Sequence, residues 1–299
     1  MLSVALGACG SNPGEENEQS QALEVGATVE VAQPISSSRR LIVATDGDGP
    51  GDNGSLWLVD RRGRSASVST LDPTRSPAKR SRAVRVPVKQ GTLGADVARW
   101  EPGTGQAALF TFARQRGGLY VRISSLGRKP RVLGQALAPV PPPRRGAHED
   151  YAISTWEGTR PDLFVIERGV RTERMRVRIY SGESGFSSIL AETTLRFRGV
   201  DPKIWDVDVG RVTQPRPDLL LMARDKRRKR AEVHIASGEQ NFQSFSYERE
   251  LDLPAGLPRS YRYSYAVTRG TESFVGLDVR KPGKSKIQIV PLFKRAGEL

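Results

Sequence analysis

The tetrapeptide Arg-Pro-Asp-Leu occurs twice, at Arg160–Leu163 and at Arg216–Leu219, with the copies 56 residues apart. Around them the chain repeats itself about five times, at 54 to 60 residues per unit. A period of that length is the size of one four-stranded β-propeller blade, and no other feature restricts the fold as strongly. A single blade cannot bury its own faces, so successive units must stack around a common axis.

The strand pattern inside each unit agrees. First strands centre on Ile42, Val97, Ile153, Val207 and Val267. Second strands are near-continuous apolar runs, Leu56 to Val59, Leu163 to Ile166 and Leu219 to Met222, as expected for strands covered on both sides. Third strands alternate: Val121 and Ile123 flank Arg122, Val177 and Ile179 flank Arg178, Val233 and Ile235 flank His234, and Ile287 and Ile289 flank Gln288. The alternation predicts one packed and one wet or lightly packed face. Fourth strands are predicted at 83–88, 131–137, 187–197 and 244–251. The fifth unit has no clear fourth strand, whereas a strand-like piece, 27–32, precedes the first unit. The expectation is that it pairs with the C-terminal strand and completes the last blade, hiding the sheet edges of an open ring. Thirty Gly and 20 Pro are spread throughout, leaving few windows for three helical turns. The fold class is therefore all-β, a single β-propeller of five four-stranded blades, with seven blades as the alternative.

Leu6-Gly7-Ala8-Cys9 resembles the lipobox of bacterial lipoproteins. Cys9 is the only cysteine, and a polar, Glu-rich stretch follows it that cannot fold alone. The resemblance implies lipidation of Cys9, with residues 1–9 the remnant of a signal peptide, 10–23 a disordered tether and 24–299 the propeller. A start codon further upstream would account for the missing basic leader. Gly10, where an Asp would imply inner-membrane retention, implies the outer membrane or cell surface. The alternative is a cytosolic protein with a lone surface thiol. No long apolar stretch predicts a membrane span.

Trp205-Asp206-Val207-Asp208 followed by Arg216-Pro217-Asp218-Leu219 resembles the FG-GAP/VCBS repeat of integrin-α-like propellers. The ends Gly182-Glu183-Ser184-Gly185-Phe186 and Gly238-Glu239-Gln240-Asn241-Phe242 fit it too. In that family an Asp-rich loop binds Ca²⁺, a hard cation that needs several converging carboxylates. Asp206, Asp208 and Asp218 are what the fourth unit retains of the loop, and only Asp162 survives in the third. The fuller set is Asp46, Asp48 and Asp52 in a Gly-rich turn of the first unit. A turn-capping role is the alternative for Asp162 and Asp218, and a solvated turn for the first-unit acids. No cofactor is required on this reading, and Ca²⁺ is the one the resemblance allows.

Net charge is +14, from 47 Lys and Arg against 33 Asp and Glu. The turns between second and third strands carry much of the excess: Arg168, Arg171 and Arg174 in the third unit, and Lys226, Arg227, Arg228, Lys229 and Arg230 in the fourth. In a propeller these turns share one face, which would attract a polyanion. Asp206 and Asp208 are expected on the opposite face.

Enzyme signatures are few. His234 is expected as an exposed filler. His148, beside Glu149 and Asp150 in a Pro-rich connection, is read as a solvated loop, with a base or ligand as the alternative. Tyr261, Tyr263 and Tyr265 alternate with Arg262 between the first two, as core and edge packing or as a sugar-binding rim. The resulting expectation is an envelope-anchored, non-catalytic binding or adhesion propeller. Its partner would be an envelope polysaccharide, another polyanion or a protein. The alternatives are a hydrolase or lyase acting on envelope polysaccharide, with carboxylates such as Asp206 and Asp208, and a polyanion-binding module.

Overall fold

A computed structural model describes residues 29–31, 40–45, 56–72, 79–101, 106–169, 174–196, 206–210, 216–225, 230–243, 245–252, 262–268, 272–281 and 284–294. Among them the regular elements are all strands. After β1 (Val29–Val31), the first sheet comprises β2 (Arg40–Thr45), β3 (Leu56–Arg62), β4 (Ser65–Asp72), β5 (Lys79–Arg80) and β6 (Val84–Pro87). The second holds β7 (Thr92–Arg99), β8 (Ala107–Gln115), β9 (Gly118–Ser125) and β10 (Val132–Ala138). The third holds β11 (His148–Ser154), β12 (Asp162–Arg168), β13 (Arg174–Tyr180) and β14 (Ile189–Arg196). The fourth holds β15 (Asp206–Gly210), β16 (Asp218–Asp225), β17 (Arg230–Ala236) and β18 (Phe245–Asp252). The last holds β19 (Arg262–Thr268), β20 (Glu272–Lys281) and β21 (Lys284–Lys294).

Every sheet is an antiparallel meander. The first strands β2, β7, β11, β15 and β19 lie side by side in cyclic order, with β19 against β2, so the sheets close into a β-propeller. β1 pairs with β21, Val29 opposite Ile289 and Val31 opposite Ile287, and supplies the outer strand of the last sheet. The expected closure is present. The first sheet departs from the pattern, because β5 and β6 share the outer edge of β4.

Apolar side chains fill the gaps between sheets. Val59, Val68 and Val86 of the first meet Val97 and Leu109 of the second. Phe110, Phe112 and Val121 of the second meet Leu163, Val165 and Tyr180 of the third. Phe164, Ile166, Val177 and Ile179 of the third meet Leu219 and Leu221 of the fourth. Both faces of β12 are therefore covered, which is why its seven residues read as an unbroken buried run. The end of the ring at which the first strands begin is called the rim face below. The turns between second and third strands lie there too.

Candidate functional site

The Arg-Pro-Asp-Leu repeat builds a turn that locks the third and the fourth sheet each to the one before it. Asp162 is fully buried. Its Oδ2 accepts the Trp156 and Glu157 N–H groups at 2.8 and 3.1 Å, and its Oδ1 accepts the Gly182 N–H at 2.7 Å. Burial pushes its pKa up, and those backbone donors oppose the shift. Asp218 is also buried and accepts the Gly238 N–H at 3.1 Å. Gly182 and Gly238 are required, because a Cβ there would lie 2.2 and 2.1 Å from the Pro161 and Pro217 carbonyl oxygens. Arg160 stacks over Trp100 at 5.1 Å and Arg216 over Trp156 at 5.0 Å, so each motif arginine covers a ring from the preceding sheet. Phe186 and Phe242, at φ of 66° and 61°, pack on the same two rings. Asp162 thus serves as a turn cap, and Asp218 accepts the equivalent backbone N–H. Asp46, Asp48 and Asp52 lie outside the described residues. Among the described residues no three His, Cys, Asp or Glu side chains converge as a metal set.

The third strands correct a second expectation. Arg178 is only 6% exposed, and His234 at the equivalent position is 9% exposed. Neither is a solvated filler. Stacking the sheets covers this face as well, so the polar residue must be satisfied inside the gap. Arg178 does this with Glu192 opposite it on β14, Nε to Oε2 3.2 Å, and with Glu167 on β12 at 3.9 Å. His234 holds the equivalent register position, opposite Glu248 on β18.

The rim face gathers the strongest concentration of titratable groups at the start of β11. His148, Glu149 and Asp150 open this strand, which corrects their reading as a solvated loop. Alternation sends Glu149 and Tyr151 toward the second sheet and Asp150 toward the fourth. Arg114 of β8 grips Glu149 with two nitrogens, its Nε 3.1 Å from Oε2, and donates Nη1 to the Val140 carbonyl at 2.8 Å. The Tyr151 hydroxyl donates to the same carboxylate at 2.7 Å. Burial and then this hydrogen bond hold the Tyr151 pKa above its ordinary value. Glu149 is consequently immobilised. Asp150 has one close cation, Arg168, with Nε 2.5 Å from Oδ2, and its side chain keeps a quarter of its surface exposed. Burial raises the Asp150 pKa, while the Arg168 guanidinium pulls it down.

Asp206 is the first residue of β15, the neighbouring innermost strand. It lies opposite Met222 as Asp150 lies opposite Ile166, so the two aspartates hold the same register position on adjacent strands. This also corrects the placement of Asp206 and Asp208 in a loop on the opposite face. Both are strand residues, and Asp206 stands at the rim. Asp208 has a different task. Its Oδ1 accepts the Val209 N–H at 2.8 Å, as Asp96 Oδ1 accepts the Val97 N–H at 2.8 Å. Asp96 then reaches across to the Ile153 N–H on the open edge of β11, at 2.7 Å. Asp96 thus belongs to the joint between β7 and β11, and Asp208 makes the equivalent bond to the following N–H on β15.

Of the expected polyanion-binding residues, Arg168 is 8% exposed and committed to Asp150, so it is not available at the surface. Arg174 is exposed at the start of β13. Arg230 is the first residue of β17. Arg171 and Lys226, Arg227, Arg228 and Lys229 lie outside the described residues, as do Cys9 and Tyr261. Sequence reasoning passed over Arg114, Glu149 and Asp150 as a set. The signal was available in the 56-residue step from Asp150 to Asp206.

No family model matches the chain, and no curated protein matches it in sequence. Solved structures are similar in fold. An endo-arabinase from Bacteroides thetaiotaomicron VPI-5482 is 12% identical, with a TM-score of 0.53, over 89% of this chain and 98% of that one. A protein of unknown function from Dyadobacter fermentans DSM 18053 is 12% identical, with a TM-score of 0.50, over 91% and 99%. A GH32 β-fructofuranosidase from Bombyx mori is 13% identical, with a TM-score of 0.49, over 85% and 62%. The first likeness overturns the expectation of a non-catalytic binding or adhesion protein. That expectation treated the ring as a scaffold without chemistry, whereas a ring of this fold, matched over nearly the whole length of both chains, is carried by an endo-arabinase.

Proposed function

We propose that the chain is a propeller hydrolase that cleaves a polysaccharide at the rim face, where β11 and β15 begin. One observation carries the reading: Asp150, its pKa raised by burial, holds the same register position as Asp206 on the adjacent innermost strand. Glycoside cleavage needs two carboxyl groups in unlike environments, one protonated to assist the leaving oxygen and one ionised. Asp150 fits the acid. It donates its proton to the glycosidic oxygen as the C–O bond breaks, and water supplies the hydroxyl that ends on the anomeric carbon. Asp206 fits the second carboxylate. Arg168 sets how far the Asp150 pKa rises, and Glu149, held by Arg114 and Tyr151, fixes the strand that carries Asp150. The similarity to an endo-arabinase places arabinan among the polysaccharides to be tried. The lipobox-like Leu6–Cys9 segment would tether such an enzyme at the cell envelope.

The test is release of reducing ends from a polysaccharide panel by the full chain. Asp150→Asn and Asp206→Asn are each expected to lower the rate by about 10²–10⁴-fold. Because the alkaline limb follows loss of the Asp150 proton, Arg168→Met should move that limb to higher pH by removing the cation that lowers the pKa. Full activity in Asp150→Asn, or no cleavage of any polysaccharide, overturns the proposal.

A further inference from the structure

We infer that the polymer received at the rim face is an anionic polysaccharide. The inference rests on the hydrolase reading for the place of the scissile bond, and on charge for the class of substrate. Among the described residues, the exposed charged side chains at this end of the ring are cations. Arg64 lies in the turn between β3 and β4, Lys89 ahead of β7, Arg116 between β8 and β9, Arg145 ahead of β11, and Arg174 and Arg196 at the rim ends of β13 and β14.

The acids at this end are withdrawn. Glu149 and Glu167 keep 6% and 7% of their side-chain surface, under Arg114 and under Arg144 and Arg178. Asp150 is held by Arg168. The rim cations are therefore not neutralised by exposed neighbours among the described residues. The far face carries exposed cations as well, Arg128, Lys129 and Arg131 between β9 and β10, but it differs in also carrying exposed acids. There the exposed acids Glu157 and Glu183 sit beside Arg216 and Arg160, at 3.5 and 4.0 Å. The rim, which carries Asp150, thus presents exposed cations without exposed acids among the described residues.

One pair of cations adds a local argument. Arg174 and Arg196 stand directly opposite each other across β13 and β14. Like charges in that relation repel, and an anion between them relieves the repulsion. Exposed cations raise the local concentration of a polyanion in a salt-dependent way. A neutral glycan gains nothing from them. A chain carrying uronate, sulfate or phosphate groups is drawn to the rim at several points at once.

The test uses the full chain carrying Asp150→Asn, so that binding is read without cleavage. Retention in affinity gels containing polygalacturonate is compared with retention in gels containing arabinan. Polygalacturonate is expected to retard the protein. That retardation should weaken at least about tenfold when Arg116, Arg145 and Arg174 are changed together to Gln, and again when NaCl rises from about 0.05 to 0.5 M. Arabinan retention is expected to be insensitive to both. Equal retention by arabinan and polygalacturonate, or an unchanged triple variant, overturns the inference. So does tighter binding of double-stranded DNA than of polygalacturonate, which would assign the face to nucleic acid. The two proposals fail separately. Cleavage of arabinan by the parent chain with no polygalacturonate retention leaves the hydrolase and removes this inference, and salt-sensitive retention with no cleavage of any polysaccharide does the reverse.

Discussion

Replacing Asp162 by Ala isolates what the repeated turn contributes. The carboxylate satisfies three backbone donors, and the bonds from Trp156 and Gly182 are wholly buried. The third, from Glu157, is part-buried, and water replaces it at little cost. A buried N–H left without an acceptor costs about 1–3 kcal/mol, so two of them amount to roughly 2–6 kcal/mol. Removing a carboxylate whose burial is itself unfavourable offsets part of this, and the net loss should fall near the lower end, about 2–3 kcal/mol. For a domain of this size that corresponds to a shift of roughly 1 M in the urea midpoint. The measurement is equilibrium unfolding followed by tryptophan fluorescence, since Trp100 and Trp156 both pack at these turns. Asp162→Asn should lose nearly as much, because one of its two acceptors becomes a donor facing another donor. A midpoint within about 0.2 M of wild type in both variants would refute the capping argument. So would a wild-type protein that loses the same stability on adding a Ca²⁺ chelator, since the carboxylates would then be serving a cation.

Further outcomes concern pH and closure. Glu183 accepts the Thr159 hydroxyl and the Thr159 and Arg160 N–H groups, and these bonds hold its pKa below the ordinary 4.5. Its folded value lies below its unfolded one, so its contribution is present above pH 4.5 and vanishes as pH falls through the lowered value. The stability difference between wild type and Glu183→Ala, measured by urea titration at several pH values, should therefore shrink on acidification, and a difference that grows would contradict the assignment. Deleting residues 24–34 removes β1 and strips β21 of its partner, so the melting temperature should fall by several degrees. An unchanged melting temperature would mean that the ring does not depend on this pairing.

The architecture was readable because it is written in periodic features. Continuous apolar runs marked the second strands, and alternation marked the third. The 56-residue step aligned Asp162 with Asp218 and Gly182 with Gly238. Even the pairing of β1 with β21 followed from counting strands. The site was less legible for two physical reasons. First, alternation shows that one face of a strand is polar, but not whether that face is covered. Arg178 and His234 look like solvent-facing residues until the next sheet is placed over them, and Arg178 is then held by acids on neighbouring strands. Second, the site is assembled across sheets. Arg114 and Glu149 are 35 residues apart, and nothing in the local sequence around either announces the other. The Pro-rich stretch before His148 pointed to a loop, but the strand starts at His148 itself, which turns a polar tripeptide into the beginning of an innermost strand.

The clasp formed by Arg160 over Trp100, and by Arg216 over Trp156, divides the repeat differently from the sheets. Each pair unites the end of one first strand with the loop that starts the following second strand, one module later. Excising a module at sheet boundaries would leave a bare indole on one side of the cut and a guanidinium with no ring beneath it on the other. A duplication that inherits both halves re-forms the joint with whatever module precedes it. Growth of such a ring by copying is thus easier than trimming it, and partial unfolding is costly where the third or fourth module is released, because each uncovers an aromatic in the module before it.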